Sequence, residues 1–376
     1  MTILDKIKDL NNNRIDELWS MTNKKIIGWI CNYTPEEIIH AGGAIPYRIY
    51  PGGDEDTPAS EADNLFFSRI CPFARAILGY KLTGDSLNFL DGIVSAHTCD
   101  AIRRLLEIWQ IHLNQPTFIY QILLPRNKTK NGVNYFEKEL TKFTNSLENF
   151  LGVKITNDDI SKSIRVFNET RRLLNKFQEK RREIALPINS IDAFEVYRAA
   201  MILDKEKVNE LLTLLIKEID NYPKINGRKR ILYSGSILAE QDTRIQKTVE
   251  SAGGMVVFEE TCTESRYASD LINEEIESPI AAIAEYQFNK IQCPRMRETD
   301  SRSRLKYVLN AIEDYRIDGV IYHTLKFCDN FKYDYPIFKE ELNKIGIPIL
   351  NLETEYGVDA GQLRTRIEAF LEIIGD

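Results

Sequence analysis

The chain has 376 residues, of which 43% are hydrophobic and 28% are charged, and its formal net charge is −7. This length predicts two or three domains with full hydrophobic cores. The acidic balance argues against nucleic-acid binding, which normally needs a basic face, and no apolar run reaches the ~18 residues of a membrane span. Residues 1–10 lack the apolar stretch of a signal peptide, so we expect a cytoplasmic protein with no membrane partner.

The first part of the chain alternates between short apolar runs and helical patterns. Residues 1–22 predict one helix. Thr34 and Pro35 fit the N-cap and first position of a second helix, which ends at Gly42 and Gly43. Further helices are expected over 72–79 and 100–111. The strands expected between these helices cover residues 25–30, 44–50, 92–96 and 117–124.

The middle of the chain differs from what flanks it. Residues 135–220 are charged, poor in glycine and helically patterned, and we expect the charge run over 161–185 to be a solvated face. The alternation of strands and helices then resumes, apart from a long irregular section that reaches about residue 299. We expect strands over 230–234, 255–258, 319–323 and 348–352, and helices over 242–252, 301–315, 337–344 and 362–374.

Two sets of four short strands separated by helices predict an α/β protein with two doubly wound domains, each built on a roughly four-stranded parallel sheet. We expect an N-terminal α/β domain over 1–134, a helical connector over 135–224 and a C-terminal α/β domain over 225–376. A weak repeat links the two halves. The third strand is followed by His97-Thr98-Cys99-Asp100 in one half and by His323-Thr324, then Cys328-Asp329, in the other.

The positions of the cysteines are more informative than their number. Each lies in a loop or at a helix start, outside the predicted strands. They are Cys31, Cys71, Cys99, Cys262, Cys293 and Cys328. In a parallel α/β sheet, ligands bind beyond the carboxyl ends of the strands, and helix N-termini favour anions. A thiolate-ligated iron–sulfur cluster is such an anion. We therefore interpret the six cysteines as ligands of a cluster in the cleft between the domains.

Two other interpretations of the cysteines stay open. A free cysteine is often an ordinary small buried residue, and a structural zinc ion would also use thiolates. Zinc sites usually pair their ligands closely, as in C-x₂₋₄-C, and this chain has no such pair. Widely spaced single ligands from different loops favour the iron–sulfur cluster.

Five segments give the chain a resemblance to the 2-hydroxyacyl-CoA dehydratase and benzoyl-CoA reductase subunits. They are Gly28–Pro46 (GWICNYTPEEIIHAGGAIP), Cys71–Arg75 (CPFAR), Asp91–Asp100 (DGIVSAHTCD), Asp318–Asp329 (DGVIYHTLKFCD) and Gly361–Ile373 (GQLRTRIEAFLEI). Each segment is short, but together they extend over nearly the whole chain. The combination is therefore specific.

The resemblance implies two lobes that clamp an iron–sulfur cluster, with ligands at Cys71, Cys99 and Cys328. It also implies a separate ATP-hydrolysing iron–sulfur reductase that delivers single low-potential electrons. The dehydratases and benzoyl-CoA reductases of this family work as pairs of unlike subunits and pass an electron to a CoA thioester.

Three further cysteines, Cys31, Cys262 and Cys293, favour one branch of the family. A cubane needs about four ligands, one of which can be non-protein, so three plus three indicates two linked cubanes. This resembles the family's double-cubane cluster proteins, homodimers that reduce small molecules such as acetylene. We therefore expect an iron–sulfur oxidoreductase with a double-cubane [8Fe-9S] cluster, an ATP-dependent reductase as partner, a homodimeric state and a small-molecule substrate.

Two alternative functions remain. One is the single-[4Fe-4S] subunit of a 2-hydroxyacyl-CoA dehydratase or benzoyl-CoA reductase, in which the three further cysteines are incidental. The other is a non-catalytic electron carrier or cluster scaffold. The sequence has neither G-x-G-x-x-G nor a Walker lysine, so we assign ATP to the partner.

Other polar residues near the cysteines are candidates for supporting roles. His97 and His323 lie at strand ends and are candidate catalytic proton donors, or else histidines that are hydrogen-bonded for packing. Glu36 and Glu37 read mainly as first-turn helix acids and secondarily as a proton relay. Arginines that flank cysteines could offset cluster charge, or simply lie at the surface. These arginines are Arg69, Arg75, Arg295 and Arg297.

Overall fold

The computed structural model describes residues 1–20, 24–84, 87–113, 118–291, 293–296, 303–356 and 361–375. The N-terminal lobe contains a four-stranded sheet in which all paired strands are parallel. Its strands are β1 (Ile26–Trp29), β2 (Ile45–Arg48), β3 (Gly92–His97) and β4 (Phe118–Leu123), in the order β2-β1-β3-β4. Its helices are α1 (Ile3–Asn12), α2 (Arg14–Ser20), α3 (Glu36–Ala41), α4 (Pro72–Thr83) and α5 (Asp100–His112), with a 3₁₀ helix at Ala59–Asn64.

Four helices then lead from the first sheet to the second. They are α6 (Lys130–Leu151), α7 (Asn157–Lys180), α8 (Ser190–Ile202) and α9 (Lys205–Glu218), followed by a 3₁₀ turn at Ile219–Asn221. Thr156 begins α7 with a capping box, in which its hydroxyl accepts from the Asp159 amide and the Asp159 carboxylate accepts from the Thr156 amide. These helices pack against both lobes, and one continuous core joins Trp29, Phe177 and Tyr233.

The C-terminal lobe repeats the topology of the first. Its parallel strands are β5 (Lys229–Gly235), β6 (Gly254–Glu260), β7 (Gly319–Leu325) and β8 (Ile349–Thr354), in the order β6-β5-β7-β8. Its helices are α10 (Arg244–Ser251), α11 (Ser265–Ala268), α12 (Pro279–Asn289), α13 (Ser303–Asp314), α14 (Asp329–Lys344) and α15 (Gly361–Gly375). Strand β7 is buried throughout, and β5 is buried except at Lys229, which is partly exposed, as expected for parallel strands covered by helices on both faces.

This architecture confirms the predicted fold class, two doubly wound α/β units with four-stranded parallel sheets. Each expected strand is present, although Thr117 lies outside the described residues. In each sheet the chain reverses its winding direction between the two central strands, β1 and β3 or β5 and β7. Such switch points create a crevice at the carboxyl edge of the sheet, where ligands bind. The domain boundaries at 134 and 224 stay a prediction.

Several local expectations were wrong. The segment over 1–20 forms two helices, not one, and residues 21 and 22 lie outside the described part. Pro35, not Thr34, occupies the N-cap of α3, because the Thr34 hydroxyl accepts instead from the Ala96 amide of β3 at 3.2 Å. Helix α14 begins eight residues before the expected position and contains Pro336.

The charge run of α7 is not simply a solvated face. Arg171 is buried and pairs with Glu37 of the N-terminal lobe, and Arg181, just after the helix, is buried and donates to Glu259 of β6 at 2.7 Å. Arg171 lies within α7 and Arg181 at its C-cap, and each pairs with a carboxylate of a different lobe. Within the described residues, no helix is long and apolar enough to cross a membrane.

Candidate metal centre

A cavity of about 270 Å³ lies where the switch points of the two sheets face each other. The loops after the central strands line it, with Ile30 after β1, Ser236 after β5 and Leu325 at the end of β7. All six cysteines also line this cavity, and all six are free thiols. They fall into two sets of three that differ in how the chain positions them.

The helix-cap set consists of Cys71, Cys99 and Cys328, which are the N-cap residues of α4, α5 and α14. Pro72 occupies the first position of α4, where its missing N–H costs nothing. Phe327 adopts a left-handed φ of 61° and turns the chain from β7 towards Cys328. Three helix N-termini therefore direct free amides and positive dipole ends towards these sulfurs.

The loop set consists of Cys31, Cys262 and Cys293. Cys31 follows β1, Cys262 follows β6, and Cys293 follows α12, so this set draws on both lobes. Side chains donate hydrogen bonds to its sulfurs; for example, the Thr98 hydroxyl donates to the Cys31 sulfur at 3.4 Å. The backbone at Cys293 is also fixed, because its amide donates to the Tyr33 hydroxyl at 3.1 Å.

Two arginines donate to the thiols of the loop set. Arg295 donates through Nε to the Cys293 sulfur at 3.2 Å and through Nη1 to the Cys31 sulfur at 3.7 Å. Arg48, at the end of β2, donates through Nη2 to the Cys262 sulfur at 3.4 Å and through Nη1 to the Cys262 carbonyl at 3.3 Å. Both arginines cross from one lobe to the other, so they also help to hold the cavity closed.

The ionisation of the thiols reflects this division. Burial raises the pKa of Cys71, and the nearby Cys328 and Cys99 raise it further. Burial also raises the pKa of Cys328 to about 11. Burial opposes ionisation of Cys293 as well, but the charges of Arg295 and Arg266 outweigh it and hold the pKa of Cys293 below its ordinary value. The protein itself therefore favours a thiolate most clearly at Cys293.

The donor chemistry fits a thiolate-ligated iron–sulfur cluster. Six unpaired thiols surround one cavity, and their neighbours are cations, amides and helix N-termini, which favour an anionic ligand. Among the described residues, no group of three or more His, Cys, Asp or Glu side chains lies close enough together to hold a single metal ion. The spread of the thiols around the cavity thus suits a multinuclear group better than the zinc alternative.

Neither predicted proton donor lines the cavity. His97, at the end of β3, faces a separate surface groove beside Pro125 and Arg126. His323 is fully buried, with Nδ1 at 2.5 Å from the Tyr233 hydroxyl and Nε2 at 2.6 Å from the Thr354 hydroxyl. The burial and ring hydrogen bonds of His323 fit the packing interpretation, and a catalytic role for either histidine stays a prediction.

The arginines that flank cysteines in the sequence differ in where their side chains lie. Arg69 is exposed and lines the cavity. Arg75 is turned away and pairs with Asp63 at 2.8 Å and with Glu355 at 3.2 Å. Arg295 contacts two thiols, as described above, and Arg297 lies outside the described residues.

The two acids of α3 are buried in its first turn, as expected from the sequence. Glu37 pairs with Arg171, and Glu36 lies 3.2 Å from the Lys205 ammonium. Neither acid lines the thiol cavity. Both carboxylates therefore have a cationic partner, which explains their burial without a role in proton transfer.

Sequence reasoning missed Arg48 and Arg266. Arg48 ends an otherwise apolar strand, and a charge at the carboxyl end of a parallel strand is a usable signal for a ligand site. Arg266 belongs to the four-residue helix α11 inside the section that seemed irregular. It is held by Glu260 at 2.8 Å and donates to the Gly235 carbonyl at 2.9 Å. No periodic pattern marked its position.

The fold and cavity define a two-lobed α/β protein that gathers cysteines at the facing switch points of two parallel sheets. The sequence model of the family described as 2-hydroxyglutaryl-CoA dehydratase, D-component, matches residues 31–374. The chain belongs to this family. The matched region includes all six cysteines.

Curated relatives agree with this assignment along almost their full length. The chain is 28% identical to the (R)-phenyllactyl-CoA dehydratase beta subunit of Clostridium sporogenes, over 94% of the chain and 92% of the relative. It is 25% identical to the lactoyl-CoA dehydratase subunit beta of Anaerotignum propionicum, over 99% and 98%. It is 24% identical to a benzoyl-CoA reductase subunit of Thauera aromatica, over 91% and 88%.

These relatives are dehydratase and reductase subunits, and they confirm the prediction that the protein is an enzyme of this group. They bear out the resemblance seen in the five sequence segments. Both the reductase type and the dehydratase type are represented among them.

Proposed function

We propose that this protein is an iron–sulfur reductase that carries a double-cubane [8Fe-9S] cluster in the cavity between its lobes. It receives low-potential electrons from an ATP-dependent iron–sulfur reductase and passes them to a small molecule. It works as a homodimer in the cytoplasm, a reducing compartment that suits six unpaired thiols.

One observation carries this proposal: six thiols in two sets of three line a single cavity. The helix-cap set supplies three ligands for one cubane, and the loop set supplies three for the other. If the loop set were incidental, its members would have no reason to face the same space. Nor would Arg48 and Arg295 be expected to direct their donors at its sulfurs.

When bound, such a cluster would supply stored low-potential electrons and an iron site for a small substrate. The chain's own residues provide the setting for that chemistry. The thiols would be its ligands, and the helix N-termini and arginines would balance its negative charge. Apolar side chains that line the cavity, among them Phe73, Leu325 and Phe331, would limit access of water.

A second candidate is the single-[4Fe-4S] subunit of a 2-hydroxyacyl-CoA dehydratase or benzoyl-CoA reductase. The observation that favours it is the identity of the relatives, which are named as subunits of such enzymes. Under this alternative the helix-cap set alone holds a cluster, and the protein requires an unlike partner subunit.

Metal content separates the two candidates. We would purify the protein without oxygen and measure iron and acid-labile sulfide per chain. We expect about eight irons in the wild type and about four in the C31S/C262S/C293S variant, because one cubane is lost. The matched variant C71S/C99S/C328S should lose a similar amount. About four irons in the wild type, unchanged in C31S/C262S/C293S, would instead establish the single-cubane subunit.

Turnover separates both enzymes from an electron carrier. With an ATP-dependent reductase and ATP present, the proposed function predicts reduction of a small unsaturated probe such as acetylene. A protein that accepts electrons but reduces no probe and dehydrates no CoA thioester would be a carrier.

A further inference from the structure

The charged side chains around the cavity are distributed unevenly between the two sets of cysteines. Arg48 and Arg295 donate to sulfurs of the loop set, and Arg266 lines the cavity beside Cys262 and Cys293. On the other side, acidic residues directly follow two members of the helix-cap set: Asp100 follows Cys99, and Asp329 follows Cys328. The loop set therefore has the more cationic environment.

The helix-cap set has no charged donor in direct contact. Cys71, Cys99 and Cys328 each begin a helix, whose N-terminus is the positive end of its dipole. No lysine or arginine side chain in the described ranges donates a hydrogen bond to a sulfur of this set. Arg69 lines the cavity but is exposed, so its charge is screened, and the charge of Arg295 also acts on Cys99 and Cys328.

Direct contact distinguishes the arginines from the helix ends. A helix N-terminus is equivalent to about half a positive charge, whereas Arg48 and Arg295 carry a full charge each and donate directly to sulfurs of the loop set. Among the described residues neither forms an ion pair with a carboxylate. Arg48 is also nearly fully buried, stacked 4.4 Å over the Trp29 ring, where an interaction with added negative charge is screened least.

From this asymmetry we infer that the loop set holds the half of the metal centre that is reduced first, and that Arg48 and Arg295 set this order. The inference rests on the proposed double cubane. In the step concerned, a low-potential reductant loses one electron and iron held by the loop set gains it, with no bond made or broken. The arginines stabilise the added negative charge, which raises the reduction potential of that half.

The test is a redox titration of the intact protein, followed by electron paramagnetic resonance, on samples whose iron content has been measured. We expect two one-electron steps in the wild type. Replacing the arginine charge in R48Q should lower the potential of the first step by roughly 59 mV, a tenfold change in that equilibrium. The second step should move less, because Arg48 donates only to Cys262 among the six cysteines.

Further variants strengthen the comparison. R295Q should lower the potential of the first step more than that of the second, since Arg295 donates to two sulfurs of the loop set while its charge also acts on Cys99 and Cys328. R295K keeps the charge and should recover most of the wild-type potential, which a merely structural role would not predict. R69Q, which removes an exposed arginine that lines the same cavity, is the matched control and should leave the potentials of both steps unchanged.

The outcomes separate the inference from the function on which it rests. A wild type with about four irons would overturn the proposed double cubane. About eight irons, with both steps shifted equally or neither shifted in R48Q, would overturn the inference and leave the double cubane intact. If R48Q assembles fewer irons than the wild type, the pair R295Q and R295K decides by the same criterion.

Discussion

The helix-cap set and the loop set place cysteines around one cavity by different means. Cys71, Cys99 and Cys328 each begin a helix, so local chain geometry fixes them. Cys31, Cys262 and Cys293 lie in loops; Cys31 and Cys262 accept hydrogen bonds from Arg295 and Arg48 of the opposite lobe, and Cys293 accepts from Arg295 of its own loop. The positions of the helix-cap cysteines therefore depend on short local segments of the sequence. The contacts of the loop set depend on the folding of the whole chain.

A consequence of this difference is that the loop set depends on buried charges behind it. Glu260, at the end of β6, is fully buried and accepts from Arg304 Nε at 2.9 Å and from the Ser234 hydroxyl at 2.7 Å. Its carboxylate also lies 2.8 Å from Arg266, which faces the cavity. Behind the helix-cap set the corresponding carboxylate is Glu355, which pairs with Arg75 at 3.2 Å and with Lys326 at 2.8 Å but is partly exposed.

Removing the Glu260 charge should give the largest effect on stability. E260Q leaves Arg266 buried without its counter-charge and Arg304 paired with Asp334 alone, and we expect it to lower the free energy of unfolding by about 3–5 kcal/mol. Denaturant unfolding of the metal-free protein measures this loss. The control is E353Q, which breaks the exposed pair of Glu353 with Lys332 and should cost at most about 1 kcal/mol. If E260Q and E353Q lost the same free energy of unfolding, the buried charges behind the loop set would not be important for stability.

The same contrast explains how much the sequence could predict. The eight strands, the helix starts at Cys71 and Cys99, and the position of the cavity follow from local periodicity and from the rule for parallel sheets. Arg295 could be proposed because it lies beside a cysteine in the sequence, but Arg48 could not, because it meets Cys262 across a separation of 214 residues. The burial of Arg171 was equally unpredictable, since its partner Glu37 lies 134 residues away.

The predicted proton donors show a further limit of local patterns. In the repeated strands His97 is the sixth residue of β3, whereas His323 is the fifth residue of β7. Successive side chains of a strand point to opposite faces of the sheet, so this shift of one residue places His97 at a surface groove and His323 in the interior. A weak repeat therefore does not carry over the direction of a side chain.

A second prediction concerns the backbone that supports Arg266. Gly235 ends β5 with a φ of +136°, and a Cβ there would lie 1.9 Å from the His323 carbonyl oxygen. Gly253 also has a positive φ, +90°, but a Cβ there would meet nothing within 4 Å. Both G235A and G253A incur backbone strain, and only G235A adds a clash.

We therefore expect G235A to be less stable than G253A by roughly 1–3 kcal/mol, as measured by thermal or denaturant unfolding. Because the Gly235 carbonyl accepts from Arg266, the clash should also disturb the loop set and lower iron content. If G235A and G253A were equally stable, a Cβ at position 235 would not clash with the His323 carbonyl, and β5 and β7 would not approach as closely as described.

The smallest effect on stability should come from replacing His323, which lies in β7, the strand that leads to Cys328 of the helix-cap set. Burial, and secondly the charge of Arg244, lowers the pKa of His323 to about 3, and its ring bonds with Tyr233 and Thr354 hold it neutral. In the unfolded chain a histidine titrates near 6.5. Below that pH the unfolded state binds a proton that the folded state does not, so stability falls as the pH falls.

H323Q removes this titration while retaining a polar side chain. We expect H323Q to be the less stable protein at pH 7.5, because it loses ring hydrogen bonds, and the gap to the wild type to narrow by about 2 kcal/mol at pH 5. Unfolding of the metal-free proteins at the two pH values measures the change, with H112Q, at an exposed position, as the control for loss of a histidine. A gap that is the same at both pH values would mean that His323 accepts its proton in the folded protein, which would return it to the candidates for proton transfer beside the helix-cap set.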